Sequence, residues 1–195
     1  MTLHKELVAA FGQTEPPDVG SLQANHDRDD GYFWKKIDLA IVLSSSGEMV
    51  DIDRPPWRLG GKRRRNTLGV PRAQFSGEGG YSGFLWGQSA HALGVVRPEL
   101  GGGVKTSPRA FNRFRTFHRA VLGGAKDPSI RAFLAFLQNW TPEATDYERA
   151  SELAGAALVF RFHYDGCFLH QGHAARLIWA RLANPAGESR TNAAG

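Results

Sequence analysis

The sequence predicts an α+β fold, a mixed domain with an antiparallel β-hairpin or sheet and several packed helices. Three observations carry that reading. Residues 37–43 and 48–53 are apolar-rich runs on either side of Ser44-Ser45-Ser46-Gly47, the pattern of a β-hairpin. Leu158, Phe160, Phe162 and Tyr164 alternate with Val159, Arg161 and His163, the period of a strand. Residues 108–122 open on Pro108 and repeat Phe111, Phe114, Phe117 and Val121 at helical spacing, with the proline in the first turn. With 195 residues, 42% of them hydrophobic and five tryptophans, the chain is long enough for a real core. We expect one domain over 1–183, with a sub-boundary near 101–107, and a flexible tail over 184–195.

In order along the chain, residues 3–11 read as a short amphipathic helix on Leu3, Leu7, Val8 and Phe11. Residues 12–31 are polar and loop-like, with Pro16-Pro17 and the acids Asp27, Asp29 and Asp30. The 37–53 hairpin follows, and Pro55-Pro56 ends it. Residues 57–66 read as an exposed basic loop entered through Gly60-Gly61, and 67–71 as a further strand. Residues 76–83 hold four glycines, which predicts a segment mobile in the free protein. Residues 84–93 read as a short helix closed by Gly94, and Gly101-Gly102-Gly103 as a joint. After the 108–122 helix, Asp127-Pro128 caps another, apolar nearly all round through Ile130, Phe133, Leu134, Leu137 and Trp140 and therefore expected to be buried. The 156–164 strand and a last helix over 173–182 complete the order. There are no internal repeats.

Charge is unevenly distributed. Between Arg54 and Lys126 there are 14 Lys/Arg and two acids, Glu78 and Glu99, so this stretch is +12 within a chain of +5. Such segregation self-repels unless something anionic compensates it, and a phosphate backbone is the usual compensator. One cysteine, Cys167, excludes an internal disulfide, and no apolar run has signal or transmembrane length. The expectation is a cytoplasmic protein with no membrane partner.

The candidate contacts lie in this basic stretch. Lys62-Arg63-Arg64-Arg65, with Arg58 and Arg72 nearby, suits DNA-backbone contact; the alternative is a solvated loop. Asn66, Gln74, Ser76 and Gln88 carry groups that donate and accept, as reading of base edges requires. Arg109/Arg113 and Arg115/Arg119 repeat at i,i+4 without a relieving Glu, which suits a phosphate or an acidic partner, or else an ordinary solvent face. Tyr32, Trp34 and Trp57 are candidate exposed aromatics for a partner. His163, Cys167, His170 and His173 have metal-like spacing, but strand, turn and helix keep them from converging; a buried cysteine with surface histidines is the reading we adopt. Asp51 and Asp53 share a strand face, and no third ligand completes a nuclease site. We expect no metal, no cofactor and no catalytic residue.

Four stretches together resemble the large subunit of type I-C CRISPR interference complexes (Cascade). They are 36–43 with 48–52; Gly60-Gly61-Lys62-Arg63-Arg64-Arg65 leading to Val70-Pro71; a Ser/Gly loop followed by Phe84-Leu85-Trp86 and Leu93-Gly94; and 133–140 with Leu158-Val159-Phe160-Arg161-Phe162 and Phe168-Leu169-His170. Each is soft alone; their order and spacing over 33–182 carry the likeness. Gly87-Gln88, Gly83 and Ser76-Gly77-Glu78 depart from the family's usual Asp-Asn, Asn and Arg-Ser-Ser or Arg-Thr-Ser. The resemblance covers the N-terminal portion of a typical member, so a truncated form or a compact variant, such as one serving a transposon-encoded system, is expected.

The resemblance implies a non-catalytic subunit that recognises the protospacer-adjacent motif (PAM) in double-stranded DNA and helps start R-loop formation. Guide pairing supplies most of the specificity, so such a subunit need read only a few base pairs. The implied partners are CRISPR RNA, duplex target DNA, and the backbone and handle-binding subunits, then a small helical subunit and a recruited nuclease-helicase or transposition factor. The competing readings are a free-standing nucleic-acid-binding protein and a metal-dependent nuclease.

Overall fold

The computed structural model describes residues 31–59, 62–64, 66–77, 80–96 and 105–183, with only the backbone course for 58–59, 62–64 and 75–77. The expected 3–11 helix, most of the 12–31 loop, the 101–103 joint and the 184–195 tail lie outside these residues. The fold is α+β. The strands are β1 (Tyr32–Lys36), β2 (Leu39–Leu43), β3 (Met49–Asp53), β4 (Trp57–Leu59), β5 (Lys62–Arg64), β6 (Thr67–Pro71), β7 (Ala73–Gly77), β8 (Gly80–Gly83), β9 (Trp86–Gln88), β10 (Val95–Val96), β11 (Lys105–Thr106) and β12 (Ala157–Phe162). The helices are α1 (Ser89–Ala92), α2 (Pro108–Leu122), α3 (Pro128–Asn139), α4 (Tyr147–Leu153) and α5 (His173–Ala183).

Six strands form one mixed sheet in the order β3-β2-β12-β9-β8-β7, and β2 and β12 run parallel at its centre. Every residue of β2 is buried, because both faces of the sheet are covered. The two-residue period sorts the central side chains. Leu39, Ile41, Leu43, Leu158, Phe160 and Phe162 join a core with Phe111, Phe114, Phe133, Phe136 and Trp179 of the helices. Ala40, Ala157 and Val159 face the other way, into a second core with Trp57, Leu68, Val70, Trp86 and Phe168. That second face is covered by the antiparallel pair β1–β6 and by the root of the β4–β5 ribbon. Helices therefore lie on one side of the sheet and short ribbons on the other.

The 37–53 hairpin forms as β2–β3, and its turn is built into the core. Gly47 has φ +81°, and a Cβ there would stand 2.5 Å from Phe136 N and 2.6 Å from the Ala132 carbonyl, so the turn rests on the backbone of α3. α2 starts and ends where proline and periodicity put it, and the Asp127 carboxylate caps α3 by accepting from the Ser129 and Ile130 amides. α3 is amphipathic rather than apolar all round: Ile130, Ala132, Phe133, Phe136 and Leu137 are buried, while Arg131, Gln138 and Asn139 are exposed.

Four expectations need correction. Within 57–66, Trp57–Leu59 and Lys62–Arg64 pair as a β-ribbon, β4 with β5, where a loop was expected. The glycine-rich 76–83 stretch contributes paired strands, β7 and β8, because glycine still offers backbone hydrogen bonds at a sheet edge. The 84–93 helix is confined to α1; Phe84-Leu85 is a turn and Trp86–Gln88 is a strand. Trp57 is fully buried, edge-on to Phe168 at 5.4 Å, so it offers no partner surface. Tyr32 and Trp34 are half-buried, Tyr32 against Trp179 and Trp34 over Gly69. A two-stranded ladder, β10–β11, closes the chain across 97–104.

Two histidines are fully buried. Burial holds His118 down to about 3 and His170 down to about 4, against an ordinary value near 6.5. Both stay neutral in the fold and take up protons once unfolded. Their contribution is complete above pH 6.5 and is lost as pH falls toward 4, at about 1.4 kcal/mol per pH unit for each ring. The melting temperature is expected to be level above pH 7 and to fall steeply between pH 6.5 and 4. A level profile through pH 5 would show that neither ring is buried neutral.

Candidate nucleic-acid interface

Three basic or polar surfaces arise from the Arg54–Lys126 stretch. The first is the β4–β5 ribbon. Its register sets Trp57 opposite Arg64, Arg58 opposite Arg63 and Leu59 opposite Lys62; Arg65 lies outside the described residues. One of the three pairs, Arg58 with Arg63, sets like charges directly opposite, which disfavours the ribbon slightly. Trp57 fixes the ribbon's root in the second core. A two-stranded ribbon is also a shape that the DNA major groove admits.

The second surface is the sheet edge at β7–β8. No further strand pairs with β7 among the described residues. β8 pairs with β9 only at Ser82 and Gly83, so the outer part of the hairpin is a two-stranded ribbon. Ala73 opposes Gly83 and Phe75 opposes Ser82, which leaves Gln74 as the extra residue of a bulge. Bulges re-aim side chains, and Gln74 is exposed, with a weak 3.4 Å contact from its Nε2 to the Arg72 carbonyl. Arg72 is exposed beside it. Ser76 pairs with Tyr81 across the hairpin. Gly83 lies under the Trp86 indole, which a Cβ would strike, and Trp86 Nε1 donates to the Pro71 carbonyl at 2.7 Å. The side chain that the resembling family often has at 83 therefore has no room here.

One of the polar candidates is engaged elsewhere. Gln88, in the amide orientation its surroundings favour, donates to the Gly155 and Ala156 carbonyls at 3.1 and 3.3 Å. Asn66 is half-buried, and its main-chain carbonyl accepts from Ile37 N at 2.8 Å.

The third surface is α2. Its inner face is Phe111, Phe114, His118 and Leu122, while Arg109, Arg113 and Arg119 are exposed. Arg115 differs: it donates to Asn112 Oδ1 at 2.6 Å and its guanidinium lies 5.5 Å from the Phe111 ring centre. α2 packs in the first core and Trp57 in the second, so the arginine face and the basic ribbon sit on opposite sides of the sheet. The hairpin edge adjoins α2 through His91, which lies against the Gly80 backbone and near Arg113. Burial first, and Arg113 second, lower the His91 pKa.

The histidine–cysteine stretch departs from the expected buried cysteine with surface histidines at His170 and Cys167, and follows it at His163 and His173. His170 is fully buried, Cys167 is half-buried, and His163 and His173 are exposed. Burial, with Asp165 and Asp127 nearby, pushes the Cys167 thiol up, opposite to what a thiolate ligand needs. No group of three or more His, Cys, Asp or Glu able to hold a metal occurs among the described residues. Asp53 faces Arg161 at 3.3 Å, and Asp51 accepts from the Ile52 amide. No described helix is long and apolar enough to cross a membrane.

Sequence reasoning missed two residues of the hairpin surface. Tyr81 is 52% exposed, and Lys35 Nζ stands 5.4 Å from its ring centre. The signal was present: a lone aromatic among glycines and serine, in Gly79-Gly80-Tyr81-Ser82-Gly83, has no periodicity that would bury it. A family model described as CRISPR-associated protein (Cas_Csd1) matches residues 21–194. No curated protein matches the chain.

Proposed function

Since the chain belongs to the Csd1 family of CRISPR-associated proteins, we propose that it is a non-catalytic subunit of a type I-C-like Cascade that recognises the protospacer-adjacent motif and helps start the R-loop. The observation that carries the proposal is the sheet edge at β7–β8. There an exposed amide on a bulge, Gln74, and an exposed aromatic, Tyr81, stand beside the cations Arg72 and Lys35. Such a set suits base-edge contact flanked by phosphate contact. Gln74 and Ser76 are the base readers in this reading; Gln88 is taken up by the Gly155 and Ala156 carbonyls. Arg58, Lys62, Arg63, Arg64 and Arg65 contact the duplex backbone. The α2 arginines, on the other side of the sheet, suit a second nucleic acid, either CRISPR RNA or displaced DNA. CRISPR RNA, duplex DNA and the backbone and handle-binding subunits are the partners.

The test is motif-dependent binding in the assembled complex compared with the isolated chain. A small basic module has too few contacts to search a genome alone, where competing sites are numerous. The chain is expected to co-purify with the backbone subunits and CRISPR RNA, and to prefer motif-bearing duplex only there. Within the complex, Gln74→Ala and Ser76→Ala should each reduce discrimination by about 1–3 kcal/mol and leave non-specific binding intact. Tight motif-specific binding by the chain alone would favour a free-standing DNA-binding protein.

A further inference from the structure

A buried histidine of the helix layer holds the turn that follows β8. Beyond its C-terminal end, Leu85 has φ +62°, a left-handed backbone costly for a branched side chain. The Leu85 amide donates to His118 Nε2 at 2.9 Å. Because that nitrogen accepts, the ring proton is on Nδ1, which donates to the Phe114 carbonyl at 2.9 Å. The ring is enclosed by Phe84, Phe114, Phe117 and Phe133. At the other end the buried His91 ring lies near the Gly80 backbone without hydrogen-bonding it. The hairpin edge is therefore tied to the helix that carries the exposed arginines through the His118 ring.

We infer that His118 is a positioning residue for base reading: by holding the Leu85 amide it fixes the Phe84-Leu85 turn, and with it the angle at which the β7–β8 hairpin meets DNA. This rests on the reading of that hairpin as the motif-contacting edge. The path is short and continuous, from His118 through Leu85 to Gly83, the last residue of β8, and from Gly83 across the ladder to Ala73, next to the Gln74 bulge. The turn is closed by the Gly83–Trp86 pair of the β8–β9 ladder, and the His118 bond is the one that reaches its left-handed residue from the helix layer, so its loss can shift the hairpin without unfolding a core.

His118→Gln keeps an acceptor at the reach of Nε2, whereas His118→Asn and His118→Phe do not. Two readouts are compared with wild type: amide hydrogen exchange in the full chain at pH 7, and the ratio of affinities of the assembled complex for motif-bearing and altered-motif duplexes. For His118→Asn and His118→Phe, exchange at Leu85 and 80–83 is expected to rise at least tenfold relative to the β2–β3 amides. The motif ratio should fall at least fivefold with an unchanged salt slope. His118→Gln should stay within about twofold of wild type in both. Unchanged exchange at Leu85, or a retained motif ratio with raised exchange, overturns the inference. If the phenylalanine variant fails to fold, the asparagine variant decides. If the wild-type complex shows no motif preference, the DNA-recognition reading fails, and exchange at Leu85 alone decides the clamp.

Discussion

Alanine at Lys62, Arg63, Arg64 and Arg65 together is expected to weaken duplex binding by the assembled complex at every target sequence alike. Three of these cations lie in β5, opposite Leu59, Arg58 and the root residue Trp57 in turn. A cation seated on a phosphate releases condensed counterions, so removing one lowers the slope of log affinity against log salt by about 0.9. If all four reach phosphate, the slope flattens by roughly 3.6 and affinity at moderate salt drops by about two orders of magnitude. The preference among motif variants should survive, because backbone contacts carry no sequence information. Titrations at several salt concentrations check this directly. An unchanged slope would remove the ribbon from the interface and leave the hairpin edge and α2 as the basic surfaces.

Gly47→Ala is expected to destabilise the protein by about 2–5 kcal/mol, the largest effect of any single substitution proposed. Two penalties add. The left-handed backbone costs an L-residue about 1–2 kcal/mol, and forcing a methyl into a packed site costs about 1–3 more. The neighbours are the Phe136 amide, the Ala132 carbonyl and the Ala135 Cβ, two of them helix backbone that cannot rotate away. Thermal or urea melts read the effect, which for a chain of this length is a fall of roughly 5–15 °C. Gly124→Ala, in the loop after α2 with nothing near its would-be Cβ, serves as the control. If the two variants melt together, the turn does not rest on α3.

The parts of the fold legible in the sequence were those where side chains repeat with the geometry. α2 announced itself through Pro108 and the Phe111–Phe114 spacing, α3 through Asp127-Pro128, and β12 through the two-residue period of Leu158, Phe160 and Phe162 against Val159 and Arg161. The short edge elements were not legible. β5 is Lys-Arg-Arg and β8 is Gly-Tyr-Ser-Gly; neither alternates, and both exist because their backbones find partners. The same blindness misplaced Trp57, whose burial beneath Phe168 is set by a contact more than a hundred residues away. His118 could have been found. Positions 111, 114, 118 and 122 form one helical face, and a histidine on an apolar face needs a buried partner. Of the interface, the cations were visible as composition. Their division between opposite sides of a sheet, and the bulge that singles out Gln74, arise only from pairing.

The central strand of the sheet, β12, has consequences for how the chain is made. It joins β2 on one side and β9 on the other, yet it follows β9 by nearly seventy residues. Until residue 162 has left the ribosome, the nascent chain holds two half-sheets, β2–β3 and β7–β9, each with an unpaired edge where β12 will insert. Closing them requires loop closures that span most of the domain, which slows folding and leaves sticky edges open meanwhile. Translation pauses or chaperone contacts would matter most in that interval. A chain cut anywhere before β12 would lose the seam between its two halves, along with the helix that follows it.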